Sequence, residues 1–277
     1  MPAVFGLSAV ENFATPKEEG GDIAVGVVLK QTFMTSFYAR WFGPFFPEAP
    51  KEPLATCSNC AMVGCRSEKS RDPGPFSPDL KCCTYFPYLP NFSIAELLAK
   101  KSSTALSLLK SAPQDGVLVP LGLFPIGDRR FRQAESDDFG RDPRLACPFL
   151  SEGSCQIWEQ RPTVCASYHC FSVQAEKGLE YWWTNEQLGN QLEWVLAHEI
   201  LWRIGFTDDD TNAMIEAAQD GEGIEETWGE WRNRKAELFA KMREVALTIT
   251  PDEIADLAGQ EGAEMKERLF ELRRSFL

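Results

Sequence analysis

Apolar residues recur at helical spacing through the C-terminal part of the chain. Leu188, Leu192, Val195 and Leu196 form one stripe, opened by a Thr184/Gln187 capping pair and stopped at Gly205. Trp228, Trp231, Leu238, Met242 and Val245 trace one face of a further helix. Thr250-Pro251-Asp252-Glu253 caps a closing amphipathic helix whose apolar face is Met265, Leu269, Leu272 and Phe276. Asp208-Asp209-Asp210 fits an acidic helix start, which the helix dipole favours, better than a calcium loop. Upstream the pattern is less regular. Ser93-Ile94-Ala95-Glu96 is a capping box that predicts a helix to about Ser111, ended by Pro113 and the turn Gln114-Asp115-Gly116. From Val117 to Phe131 apolar residues alternate with Gly and Pro, which predicts short strands or hairpins. Residues 22–43 are apolar and rich in aromatics, a buried helix or a strand leading into one. Pro44, Pro47, Pro50 and Pro53 then impose an extended linker. The pattern predicts a mainly α fold with an irregular cysteine-rich metal-binding module and a few short β-strands, α+β at most.

Cysteine placement changes this picture. All nine cysteines, Cys57, Cys60, Cys65, Cys82, Cys83, Cys147, Cys155, Cys165 and Cys170, fall in one internal stretch. This predicts three regions: an N-terminal apolar segment and Pro-rich linker (1–56), a cysteine-cluster module (57–170), and an acidic helical region (171–277) packed on it. The formal charge of −13 is carried almost wholly by the third region. That surface repels phosphates, and the near-neutral half has no basic stripe interleaved with aromatics, so no nucleic-acid partner is expected. The acidic helices offer a solvated face, with a protein or peptide partner as the alternative. No apolar run reaches the length of a membrane span, and Met1 to Gly20 carries no basic residue ahead of its apolar stretch, so a cytoplasmic protein without a membrane is expected. In a reducing compartment an odd set of nine cysteines points to metal rather than disulfides.

Cys57-Ser58-Asn59-Cys60 is a C-x2-C pair, followed by C-x4-C to Cys65 and by adjacent Cys82 and Cys83; the second group, Cys147, Cys155, Cys165 and Cys170, ends in another C-x4-C. Thiolates this close on a turning chain can converge on one ion or cluster. The order does not match the ferredoxin patterns, and tetrahedral zinc would need two sites for eight ligands with one cysteine over. Adjacent cysteines point apart when extended, so Cys82 and Cys83 would serve different metals, or one metal and one packing role. Soft sulfur ligands suit zinc and iron–sulfur clusters alike, and buried Cys can also serve simply as a small hydrophobe.

The segment CPFLSEGSCQIWEQRPTVCASYHC, residues 147–170, resembles the YkgJ-type cysteine-cluster family, described as zinc- or iron-chelating domains. Cys57, Cys60, Cys65 and the Cys82-Cys83 pair resemble that family's first half. The resemblance implies Cys147, Cys155, Cys165 and Cys170 as second-half ligands and Cys82 and Cys83 as paired ones. It departs from the family in the sixteen residues between Cys65 and Cys82, in one extra cysteine, and in Ala166, where the family often carries Arg. A relative, the flagellin lysine N-methylase, is similar in its cysteine cluster and implies an iron–sulfur centre in an S-adenosylmethionine-dependent enzyme. No glycine-rich nucleotide loop accompanies that likeness here.

Other residues add less. His169 beside Cys170 could ligate, carry a proton or hydrogen-bond a cluster sulfur, and Arg161-Pro162 could shape the turn before Cys165 while Arg161 offsets thiolate charge. Asp137, Asp138 and Asp142 lie in a polar loop as turn formers or acid/base groups. His198-Glu199 begins an H-E-x-x-H pattern that fails at Trp202, leaving His198 as a packing residue. No nucleophile, base and orienter set is named. The leading expectation is an iron–sulfur cluster used for redox or for modifying a protein or peptide; the alternatives are a structural zinc interaction module and a metal-handling or sensing protein.

Overall fold

The computed structural model describes residues 34–50, 63, 76–126, 138–169 and 172–276. It opens with a short aromatic helix, α1 (Ser36–Phe42), which buries Tyr38, Trp41 and Phe42. This settles the C-terminal end of the 22–43 segment as helix; residues 22–33 lie outside the described residues, as do 51–56 of the linker. A 3-10 turn at Gly43–Phe45 carries Pro44 and ends the element.

Strand β1 (Leu89–Pro90) leads directly into α2 (Asn91–Ala99), and α3 (Ser103–Lys110) follows. The expected single helix from Ser93 to Ser111 is therefore two, broken where Lys101 takes a positive φ of 55°. The capping box is also corrected: Pro90 is the N-cap, and Ser93 and Glu96 serve distant partners instead. Ser93 Oγ bonds the Tyr38 hydroxyl at 2.8 Å, while the Glu96 carboxylate pairs with Arg243 at 2.7 Å. Strands β2 (Gly116–Val119) and β3 (Gly122–Pro125) form the expected hairpin, and the antiparallel order is β1-β3-β2, with Leu123 opposite both Leu89 and Leu118. A second small hairpin pairs β4 (Leu150–Ser151) with β5 (Ser154–Cys155), and the short helix α4 (Thr163–Ser167) follows.

The C-terminal helices are α5 (Ala175–Ile204), α6 (Asp208–Asp220), α7 (Lys235–Ala246) and α8 (Pro251–Arg274). Leu188, Leu192 and Leu196 are fully buried on α5, as the stripe predicts, and Gly205 stops it in the left-handed region. The Thr184/Gln187 cap is overturned, since α5 begins at Ala175 and Thr184 Oγ1 donates back to Glu180 O at 2.8 Å within the helix. The stripe from Trp228 to Val245 is likewise divided. Trp228 and Trp231 belong to a 3-10 segment kinked at Gly229, and only Leu238, Met242 and Val245 lie on α7. Thr207 caps α6 with Asp210 as its reciprocal partner, and Thr250 caps α8 with Glu253. Leu269 and Leu272 are buried on α8, which kinks at Gly259.

One contiguous apolar core runs from Met34 to Leu272. Helix α5 is its axis: α8, α7 and α4 all pack against it, and α2 packs on α7. The fold is mainly α with few short strands. Among the described residues no helix is long and apolar enough to cross a membrane.

Helices α5 and α4 approach closely at Gly189. A Cβ built on Gly189 would fall 1.9 Å from Thr163 Cγ2 and 2.7 Å from Thr163 Cβ, a β-branched side chain with little rotamer freedom. Gly189→Ala gains about 1 kcal/mol of helix propensity but forces the helices apart, an overpacking cost of about 1–3 kcal/mol. A melting temperature lowered by a few degrees is expected in thermal denaturation. An unchanged or raised value would mean that α4 shifts away freely.

Candidate metal centre

Five of the nine cysteines are placed by short, locally determined elements, and four of them, Cys83, Cys147, Cys155 and Cys165, are electrostatic neighbours. Cys82 and Cys83 end a turn in which Lys81, at φ 53°, donates its amide to Ser77 O at 2.9 Å and Cys83 donates to Leu80 O at 2.9 Å. The turn is tied down next door: buried Thr84 Oγ1 accepts from Gly140 N at 2.7 Å, and Ser77 N donates to Gly140 O at 2.7 Å. Cys147 N donates to Cys83 O at 2.7 Å, which brings the second cysteine segment onto the first. The backbone then turns at Leu150 N to Cys147 O, 2.9 Å, and enters the β4–β5 hairpin, where Cys155 pairs with Leu150. Glu152 and Gly153 both take positive φ (50° and 71°), the geometry of a tight two-residue hairpin turn. Cys165 arrives on α4.

The thiols report their proximity. The Cys165 thiol is pushed well up, by burial and then by Cys147, Cys155 and Cys83 around it, with Arg161 opposing. Cys83 moves the other way, to about 7, because Cys82 hydrogen-bonds its sulfur and Lys81 lies nearby, against a burial penalty. Cys82 itself is exposed. The donor chemistry of this set fits a soft metal. Among the described residues, however, no three His, Cys, Asp or Glu side chains stand close enough to share an ion, so the four cysteines are electrostatic neighbours and not a closed coordination shell. Cys57, Cys60, Cys65 and Cys170 lie outside the described residues.

The remaining sequence candidates separate. The Arg161 guanidinium lies 3.6 Å over the Trp158 ring and favours the Cys165 thiolate. His169 stacks face to face on Trp182 at 3.7 Å, and its Nδ1 is 3.1 Å from Ser167 O. Asp142 caps the 3-10 turn Pro143–Leu145 and pairs with Arg144, a turn-forming role, while Asp138 sits in the preceding turn. Asp137 lies outside the described residues. His198 packs against Trp194, 4.6 Å between ring centroids, and burial pushes its pKa down.

One residue escaped the sequence reading. Glu193 is buried at 2% exposure on the inner face of α5, and its Oε1 accepts from both Thr163 N (2.5 Å) and Thr163 Oγ1 (2.7 Å). Those donors open α4, whose N-cap is Pro162, so a carboxylate from another helix satisfies the first amide that the helix itself leaves unpaired. Tyr38 bonds the same carboxyl, joining it to Ser93. Its signal was present: an acidic residue four positions after Gly189 and one after Leu192, on the face the stripe assigns to the core.

Burial holds the Glu193 carboxyl up at about 7, against an ordinary 4.5, despite the opposing bonds from Thr163 and Tyr38. Its folded-state value exceeds its unfolded one, so between about 4.5 and 7 the folded chain keeps a proton that the unfolded chain has lost. Stability therefore falls as pH rises through that window. Glu193→Gln keeps an oxygen for both Thr163 donors and does not titrate. It is expected to remove roughly 3 kcal/mol of the stability lost between pH 4.5 and 8, measured as the difference between denaturant titrations of the two proteins. Parallel pH profiles would show that Glu193 is ionised throughout. No family model, curated protein or solved structure matches the chain, so the resemblance at residues 147–170 stands on the order of those residues alone.

Proposed function

We propose that the chain is a metal-binding protein whose cysteine cluster holds an iron–sulfur centre used for redox or for modification of a protein or peptide. The observation that carries this reading is the approach of the cysteine segments: Cys147 N donates to Cys83 O at 2.7 Å, Cys155 stands in the hairpin that follows, and Cys165 lies near enough for all three thiols to oppose its ionisation. Thiols set so near one another repel as thiolates, and a soft cation relieves that repulsion, so metal binding would draw the four inward. These four residues would hold the centre, with Cys82 beside them and Cys57, Cys60, Cys65 and Cys170 as further expected ligands. An iron–sulfur cluster supplies one-electron chemistry when bound. The chain's own part is to place the sulfurs, through the Cys147 to Cys83 backbone bond and the Glu193 cap on α4, and to set a cationic group, Arg161, beside Cys165.

The test is elemental analysis with an absorption spectrum, on protein purified without oxygen and without a metal-binding tag, together with Cys165→Ser. Iron with matching sulfide and a brown chromophore is expected, with metal content and melting temperature both reduced in the variant. Stoichiometric zinc in a colourless sample would overturn the iron–sulfur assignment in favour of a structural zinc site. Metal-free protein, or a variant unchanged in both readouts, would overturn metal binding at this cluster.

A further inference from the structure

Helix α1 has two working faces. Met34, Thr35 and Tyr38 turn toward Arg161, Thr163 and Ala166 beside the cysteines. Ser36, Phe37, Arg40 and Trp41 turn the other way and line a cleft of about 300 Å³, closed by α2 and α7. That volume lies at the small end of ligand-binding clefts.

The cleft has an aromatic base and a cationic rim. Phe37, Trp41 and Phe92 form a mutually packed trio, with Phe37 to Trp41 centroids 5.2 Å apart and Trp41 to Phe92 5.5 Å apart. Trp41 Nε1 is spent on Ala246 O at 2.9 Å, which locks the ring in place. Three cations, Arg40, Lys100 and Arg243, line the cleft against one carboxylate, Glu96. Glu96 meets Arg243 Nε at 2.7 Å and Lys100 at 3.8 Å. Arg40 has no carboxylate partner among the described residues and rests 5.7 Å from the Trp41 ring, while Arg243 is tied to Glu96 through Nε. In a chain of net charge −13, a cleft holding surplus positive charge over aromatic rings is a local reversal of the molecule's field.

We infer that this cleft binds a small carboxylate carrying a flat apolar body, an aryl or short acyl acid. The carboxylate would meet the forked guanidinium of Arg40 and the outer amino groups of Arg243, for which Arg geometry is suited. The apolar body would lie against Phe37. The inference is independent of the metal centre, on the opposite face of α1.

The experiment is calorimetric titration of the full chain with phenylacetate and, separately, with phenylacetamide, its neutral counterpart. Saturable phenylacetate binding is expected, weakened at least about tenfold for the amide and about tenfold by Arg40→Gln, the loss of one charge-assisted hydrogen bond. Arg40 is exposed and bears no ion pair among the described residues, and Arg243→Gln provides the second variant, with folding checked by circular dichroism. No saturable heat at the solubility limit of phenylacetate, equal affinity for acid and amide, or undiminished binding by Arg40→Gln would each overturn the assignment.

Discussion

The contact between Glu193 and the first residue of α4 is the constraint on which the cysteine region depends. A carboxylate on the core face of a long helix is costly, and the chain offsets that cost with two short bonds to Thr163 and a third to Tyr38. The bonds are possible only because Gly189 presents no side chain where Thr163 lies. Helix α4 is only five residues long and could not hold its own position by propensity or hydrogen bonding. Its docking on α5 decides where Cys165 stands relative to Cys83, Cys147 and Cys155.

The other three cysteines are placed by a different device. Lys81, Glu152 and Gly153 turn the chain through positive φ, and single backbone or side-chain bonds then tie one turn to the next, Cys147 to Cys83 and Gly140 to Thr84. Phe86, Leu145, Phe149 and Ile157 are buried alongside these cysteines, so apolar packing and hydrogen bonds position them together. Their thiols remain neighbours without closing a shell among the described residues. A metal that closed it would add folding energy to that of the surrounding core.

Helix α1 links this region to the rest of the molecule. Tyr38 joins Ser93 on α2 to Glu193 on α5, while Trp41, three residues on, anchors to Ala246 at the end of α7. The same seven residues therefore brace the wall of the cysteine region and the base of the cationic cleft. Arg40, Arg243 and Lys100 come together there from three helices, two of which lie in the half of the chain that is close to neutral.

Much of the helical architecture was legible from periodicity and caps. The Leu188, Leu192, Leu196 stripe, the Thr250 cap, the stop at Gly205 and the β2–β3 hairpin are all local properties, set by residues within a few positions of each other. Where the reading failed, long-range partners had claimed the same residues. Ser93 and Glu96 form an apparent capping box, yet Tyr38 and Arg243 take them, and Thr184 bonds inside a helix that packing against α4 and α8 extends back to Ala175. The cysteine pattern likewise marked which residues carry the candidate chemistry, because spacing is a sequence property. Which of them meet, that a lone Glu193 seats Cys165, and that three dispersed cations share one aromatic cleft were decided only by tertiary structure, since these depend on helices distant in sequence being pressed together around one core.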